Sequence, residues 1–294
     1  MDRATREAAQ QALAAGRSAV VVEVRAAQGS APRAAGTRML VSHGHAVGTI
    51  GGGHLELKAL HTARAMLAAA DLSPRSEHFP LGPALGQCCG GAVTLAYEAL
   101  SATSLARWPA PAALFHLQLY GAGHVGRAIA TLLATLDVEV DWIDEREDEF
   151  PGATTLGTAW PAHVRKVCVD AIESEVSVAP RGAFYLVLTH NHDLDLRITE
   201  AILRRGDFGF LGLIGSRTKR QRFIHRFEQR GIANEAIERM TCPIGVPDIA
   251  GKQPEVLALA VVAQLLQAAA PCTASIDQVS ANRPSASRSS TFTV

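Results

Sequence analysis

The segment Tyr120-Gly121-Ala122-Gly123-His124-Val125-Gly126 spaces its glycines as a dinucleotide fingerprint does. The first glycine permits a tight turn, the second lets backbone N–H groups approach a phosphate, and the third lets helix and strand pack closely. Asp144 lies about 20 residues further on, where such sites keep an acid for ribose hydroxyls; Glu145 and Arg146 beside it leave NAD and NADP both open. His124 and Val125 are contacts by position, and a histidine there also simply begins a helix.

Two more loops carry polar residues directly after apolar runs. Thr189-His190-Asn191-His192-Asp193 follows Tyr185-Leu186-Val187-Leu188, and Gly215-Ser216-Arg217 follows Phe210 to Ile214. Packing gives no reason for polar residues to gather there. Helix capping accounts for one of Thr189, Asn191 or Asp193, and less readily for His190 and His192. Elsewhere Gly51-Gly52-Gly53 forms a glycine-rich loop, and Cys88-Cys89 sits among glycines in another. Adjacent cysteines close a strained ring if oxidised to each other, and without a second pair they do not make a structural zinc site. They read either as a thiolate able to accept sulfur or touch a soft metal, or as two buried small hydrophobes.

The elements that must position these residues follow from periodicity. The first part reads as a helix over Thr5–Ala15, strands at Ala19–Arg25, Thr37–Ser42 and Ala46–Ile50, a helix over Leu55–Ala69, and strands at Glu77–Pro80 and Ala92–Glu98. Trp108-Pro109-Ala110-Pro111 breaks the pattern. Beyond it come strands at Phe115–Tyr120, Val138–Ile143, Lys166–Val169, Phe184–Leu188 and Phe210–Ile214. Helices alternate with them over Arg127–Leu136, Leu194–Arg204, Thr218–Arg230 and from Pro254 to about Ala269. Alternation of this kind predicts an α/β fold. A smaller mixed α/β domain over 1–104 joins, through a linker at 105–113, a doubly wound, Rossmann-type parallel sheet over 114–270; a disordered tail spans 271–294.

Charge removes several function classes. Lys and Arg together number 28 and so do Asp and Glu, with no basic run, so neither nucleic acid nor an anionic membrane is the expected partner. The longest apolar stretch, Val256 to Ala270, is interrupted by Gln264 and Gln267, which argues against a membrane span. The mixed-charge N-terminus lacks a secretory h-region, so a cytoplasmic protein with reduced thiols is expected.

Taken together, Gly29 to Arg33, Gly48 to Glu56, Gln87 to Gly91, Gly121 to Val125, Thr189 to His192, Leu213 to Arg217 and Pro243 to Gly245 resemble, in order, the motifs of the XdhC family. These are the xanthine dehydrogenase accessory proteins; CoxI-like proteins are more distant relatives. The chain departs from the pattern at Asn191, where the family has an acid, at Gln264, where it has a glutamate, and at Val246-Pro247-Asp248, where Leu-Asp follows the glycine. The resemblance implies a chaperone, without turnover of its own, for the molybdenum cofactor, a phosphorylated pterin dithiolene. It implies that a cysteine desulfurase sulfurates the held cofactor, which then passes to apo xanthine dehydrogenase. On this reading Gly121, Gly123, His124, Val125, Gly126, Asp144, Thr189, His190, His192, Gly215, Ser216, Gly52, Gly53, Cys88 and Cys89 face the cofactor, with the Cys89 thiol near molybdenum. A homodimer is also expected. The alternatives are an NAD(P)-dependent oxidoreductase using His190 or His192 as acid or base, and a persulfide carrier using Cys88 or Cys89.

Overall fold

A computed structural model describes residues 3–81, 91–109, 112–154, 157–249 and 251–270. The chain divides into two compact units between Ala113 and Leu114.

The first unit runs α1 (Arg3–Ala14), β1 (Val20–Gln28), β2 (Arg38–Val41), β3 (Ala46–Gly48), α2 (Gly53–Ala68), β4 (Arg75–Leu81), β5 (Gly91–Ala99) and α3 (Ala102–Ala106). Its strands form an antiparallel sheet in the order β3-β2-β1-β5-β4. Successive side chains of a strand point to opposite faces. Val20, Val22 and Val24 therefore pack with Leu55, Ala59 and Met66 of α2, while Val21 packs with Ala9 and Ala12 of α1. Burial on both faces explains why this strand reads as a continuous valine run.

Residues 105–113 do not all form the expected linker. Leu105 belongs to α3, which Ser101 and Ser104 open with a reciprocal capping box. Trp108 is buried with Leu105 and Ala12, Arg38 lies 5.4 Å over its ring, and Arg6 donates to its carbonyl at 3.0 Å. The prolines break the periodicity, but the indole is too large an apolar surface to leave in water.

The second unit contains β6 (His116–Tyr120), α4 (His124–Leu133), β7 (Glu139–Asp144), β8 (Val164–Cys168), β9 (Phe184–Val187), α5 (His192–Arg205), β10 (Phe210–Leu213), α6 (Arg217–Gln229), α7 (Asn234–Glu238), β11 (Met240–Thr241) and α8 (Pro254–Ala269). All its strands are parallel, in the order β11-β10-β9-β6-β7-β8. Counted from β6, this is the doubly wound order 3-2-1-4-5-6 of Rossmann units, with its switch point between β6 and β9. One face of the sheet packs Leu117 and Leu119 against Ile129 and Leu133 of α4 and Val261 and Leu265 of α8. The other packs Tyr120, Tyr185 and Val187 against Leu194 and Ile198 of α5 and Phe223 and Phe227 of α6. The two-residue β11 and the one-turn α7 add to the expected elements; such short pieces carry no periodicity to read. Among the described residues no helix is long and apolar enough to cross a membrane.

Candidate functional site

In an open α/β sheet, ligands bind beyond the carboxyl ends of the strands at the switch point. Here that place is the turn from β6 into α4. Gly121 takes φ +121°, and a Cβ on it would lie 2.4 Å from the Leu188 carbonyl oxygen after β9. A Cβ on Gly126 would lie 2.0 Å from the Gly121 carbonyl oxygen, so both outer glycines are demanded by the protein's own backbone. Gly123 differs: a Cβ there meets nothing within 4 Å. Gly123 is the N-cap of α4, no side chain caps that helix, and its first turn holds no acid. The first N–H groups of an α-helix have no intrahelical acceptor, so this end offers donors and positive potential to open space.

The loop is braced from behind. Asp144, 2% exposed at the end of β7, accepts the Ala122 N–H at 2.6 Å on Oδ2. The same carboxylate accepts the Arg146 N–H at 3.0 Å and the Arg146 guanidinium at 2.9 Å on each oxygen. Arg127 Nε donates to the Ala122 carbonyl at 2.9 Å, and its guanidinium pairs with Glu149, which also receives Arg146 at 3.3 Å. Ala122, Asp144, Arg146, Glu149 and Arg127 thus close a ring of charge-assisted hydrogen bonds. Trp142 Nε1 donates to the Gly121 carbonyl at 3.0 Å. Burial would push the Asp144 carboxyl up, yet the donors from Arg146 and Ala122 outweigh it and hold it below the ordinary aspartate value.

The other two polar loops meet at the ends of β9 and β10, on either side of a cavity of about 390 Å³ that Thr189, His190, His192, Gly215 and Ser216 help to line. Its floor is an ion pair that the sequence pattern does not single out. Lys219 Nζ donates to Asp195 Oδ2 at 2.5 Å and to the Ile214 carbonyl at 2.9 Å, and Asp195 is 1% exposed. Asp195 Oδ1 accepts both the N–H and the hydroxyl of Thr189, at 3.0 and 2.7 Å. Gly215 makes room for this arrangement, since a Cβ on it would lie 2.5 Å from Lys219 Cδ. Ser216 caps α6 by accepting the Lys219 N–H at 3.2 Å. His190 and His192 are exposed at the rim, and His190 Nε2 lies 3.6 Å from Glu145 Oε1, linking the ends of β9 and β7. His124 and Val125 open α4, with His124 exposed.

Residues 117–265 match the model of the XdhC Rossmann domain, and residues 2–75 match that of the XdhC and CoxI family. The chain belongs to the XdhC family. YqeB, an uncharacterized protein of Escherichia coli K12, is 31% identical over 252 residues, which are 82% of this chain and 41% of that protein. A crystal structure of a xanthine dehydrogenase from Bacillus halodurans shares the fold with TM-score 0.69 at 18% identity, over 90% of this chain and 95% of that one.

Two departures from the XdhC pattern have a structural account. Asn191 is the N-cap of α5, accepting the N–H groups of Asp193 and Leu194 at 2.8 and 3.2 Å, a task that an acid also performs. Asp193, an equal candidate for that cap, instead lies exposed 3.6 Å from Arg226. Gln264 accepts the Gly245 N–H at 2.9 Å and donates to the Gly245 carbonyl at 3.3 Å, so its amide satisfies both backbone polar groups of one residue. An ionised glutamate has no donor for the second bond.

The XdhC glycines of the first unit behave otherwise. Gly51, Gly52 and Gly53 have φ of +125°, +75° and +63°. Their turn wraps an internal anion: Glu56 Oε2 accepts the N–H groups of Ile50 and Gly52 at 3.1 and 3.0 Å and the Thr49 hydroxyl. Cys88 and Cys89 lie outside the described residues, as does the 271–294 tail. The described cysteines, Cys168 and Cys242, are free thiols, and among the described residues no three His, Cys, Asp or Glu side chains gather to hold a metal ion.

Proposed function

We propose that this XdhC-family protein is a maturation factor that holds the phosphate of the molybdenum cofactor on the turn between β6 and α4, and delivers the cofactor to apo xanthine dehydrogenase. The observation that carries the reading is the open space at Gly123 in front of an uncapped helix end on a braced loop. A terminal phosphate fits that donor set, since it needs backbone N–H groups and positive potential rather than a side-chain acid or base. The organic part of the ligand then extends along the strand ends toward the cavity floored by Asp195 and Lys219, where His190, His192, Thr189 and Ser216 offer polar groups to a pterin edge.

When bound, the cofactor supplies the molybdenum centre that the recipient enzyme uses. This chain's residues bind and orient it. From the resemblance to XdhC proteins, the thiol that serves molybdenum is that of Cys89, with Cys88 as its alternative; the sulfur donor is a cysteine desulfurase, and the working unit is a homodimer in the cytoplasm. Cys89→Ala is expected to lower cofactor retention; unchanged retention would pass the role to Cys88, and unchanged retention in the double alanine variant would remove both thiols from the site. Mass spectrometry after incubation with a desulfurase and cysteine separates this reading from a persulfide carrier: sulfur on the bound cofactor supports the chaperone, and a persulfide on either thiol supports the carrier.

An NAD(P)-dependent oxidoreductase on the same unit is the second reading, favoured by the strand order and the glycine spacing alone. Anaerobic titration of the pure protein with isolated molybdenum cofactor and, in parallel, with NADH decides between them. Tight cofactor binding without NADH binding is the expected result; NADH binding alone would put the oxidoreductase first.

A further inference from the structure

In a Rossmann unit that binds a dinucleotide, the acid at the end of the second strand takes the ribose hydroxyls. Asp144 holds that position at the end of β7, and its acceptor capacity is spent. An ionised carboxylate offers about four acceptor sites. Asp144 accepts from Ala122 N, Arg146 N, Arg146 Nε and the second guanidinium nitrogen of Arg146, at 2.6, 3.0, 2.9 and 2.9 Å. The guanidinium is held in turn by Glu149 at 3.3 Å, and Glu149 by Arg127. Two neutral hydroxyls are a poor exchange for a two-point guanidinium pair on a carboxylate that is 3% exposed, because displacing the cation strands a charge out of water.

We infer that Arg146 is a specificity-determining residue: by occupying Asp144 it closes the β6–α4 site to ligands that present a vicinal ribose diol, and reserves the glycine loop for phosphate esters without one. The inference rests on the loop being a phosphate cradle and narrows the ligand class of the site proposed above. It also explains why Glu145 and Arg146 leave the NAD or NADP choice unreadable from the sequence: the arginine faces back onto the acid that would make the choice.

The test titrates NADH and NADPH into the full chain as wild type, Arg146→Met, Arg146→Ala and Arg146→Ala with Asp144→Asn, with circular dichroism confirming that each is folded. Methionine keeps most of the aliphatic stem and secures the comparison if alanine loosens the loop. Freeing two acceptor sites on Asp144 is expected to raise NADH affinity roughly tenfold or more in either single variant. The gain should vanish in the double variant, because the amide supplies only one acceptor oxygen. No gain in a folded single variant, a gain that survives Asp144→Asn, or NADH binding by the wild type at the variant's affinity would overturn the inference. NADPH binding by the wild type would overturn it too, since Arg146 would then read a 2′-phosphate. Molybdenum cofactor binding by the wild type is measured alongside. If it fails while the NADH gain appears, the chaperone reading falls and the inference stands. Cofactor binding without the NADH gain leaves the chaperone reading in place and overturns the inference.

Discussion

Each unit places a glycine turn at the start of a helix, and the two turns end in opposite electrostatic states. At α2 the chain supplies its own anion: Glu56, in the first turn, collects Ile50 N, Gly52 N and the Thr49 hydroxyl on one oxygen. At α4 the first turn has no acid, and the nearby carboxylate, Asp144, lies behind the loop and, of the donors in the Gly121–Gly126 turn, takes the Ala122 N–H. Donors that Glu56 neutralises in the first unit therefore remain available to a ligand in the second. Glycine content does not make an anion site; the position of the nearest carboxylate relative to the turn does.

The comparison breaks most visibly at Gly126. Gly126→Ala drives a methyl group into the Gly121 carbonyl and is expected to cost the second unit about 3 kcal/mol, read as a lowered urea midpoint. Glu56→Ala leaves three donors without their acceptor and should cost the first unit about 2 kcal/mol. If that turn is an anion site filled from within, inorganic phosphate recovers part of the loss in the variant and does little for the wild type. Gly123→Val enters open space, so stability should change by about 1 kcal/mol or less while molybdenum cofactor affinity falls roughly tenfold. Unchanged affinity in the folded valine variant would remove the phosphate from this loop.

The smallest effect is on pH dependence. Asp144 titrates below the ordinary aspartate value, so its native contacts contribute fully above the unfolded pKa and are lost as pH falls through the lower folded value. Asp141 is depressed in the same way: burial pushes it up, and His116 and Arg165 more than reverse that. Wild-type stability should therefore fall as pH drops below about 5 and through the depressed folded values, and with a shallower slope in Asp144→Asn. Equal slopes would mean that the brace behind the loop contributes nothing through its charge.

Much of this was legible in one dimension. The turn at Gly121 to Gly126, the strand before it and the polar strand ends after β9 and β10 follow from spacing and alternation, and so does the parallel, doubly wound character of the sheet; the order of its strands does not. The helix α4 begins at His124, earlier than the periodicity suggests, because the fingerprint itself forms its first turn. Lys219 and Asp195 were not legible: the acid reads as an ordinary first-turn charge and the lysine as one of several cations on a polar helix, and only the packing of α5 beside α6 puts them together.

Residue order alone therefore determined where the backbone must turn and which strand ends carry polar loops, because those depend on local sterics and on periods of two and 3.6. Tertiary structure decided which donors stay free. Whether a carboxylate fills a glycine turn, braces it from behind or is itself silenced by a neighbouring arginine depends on directions in space, and hydrogen bonds are too directional for sequence separation to predict them.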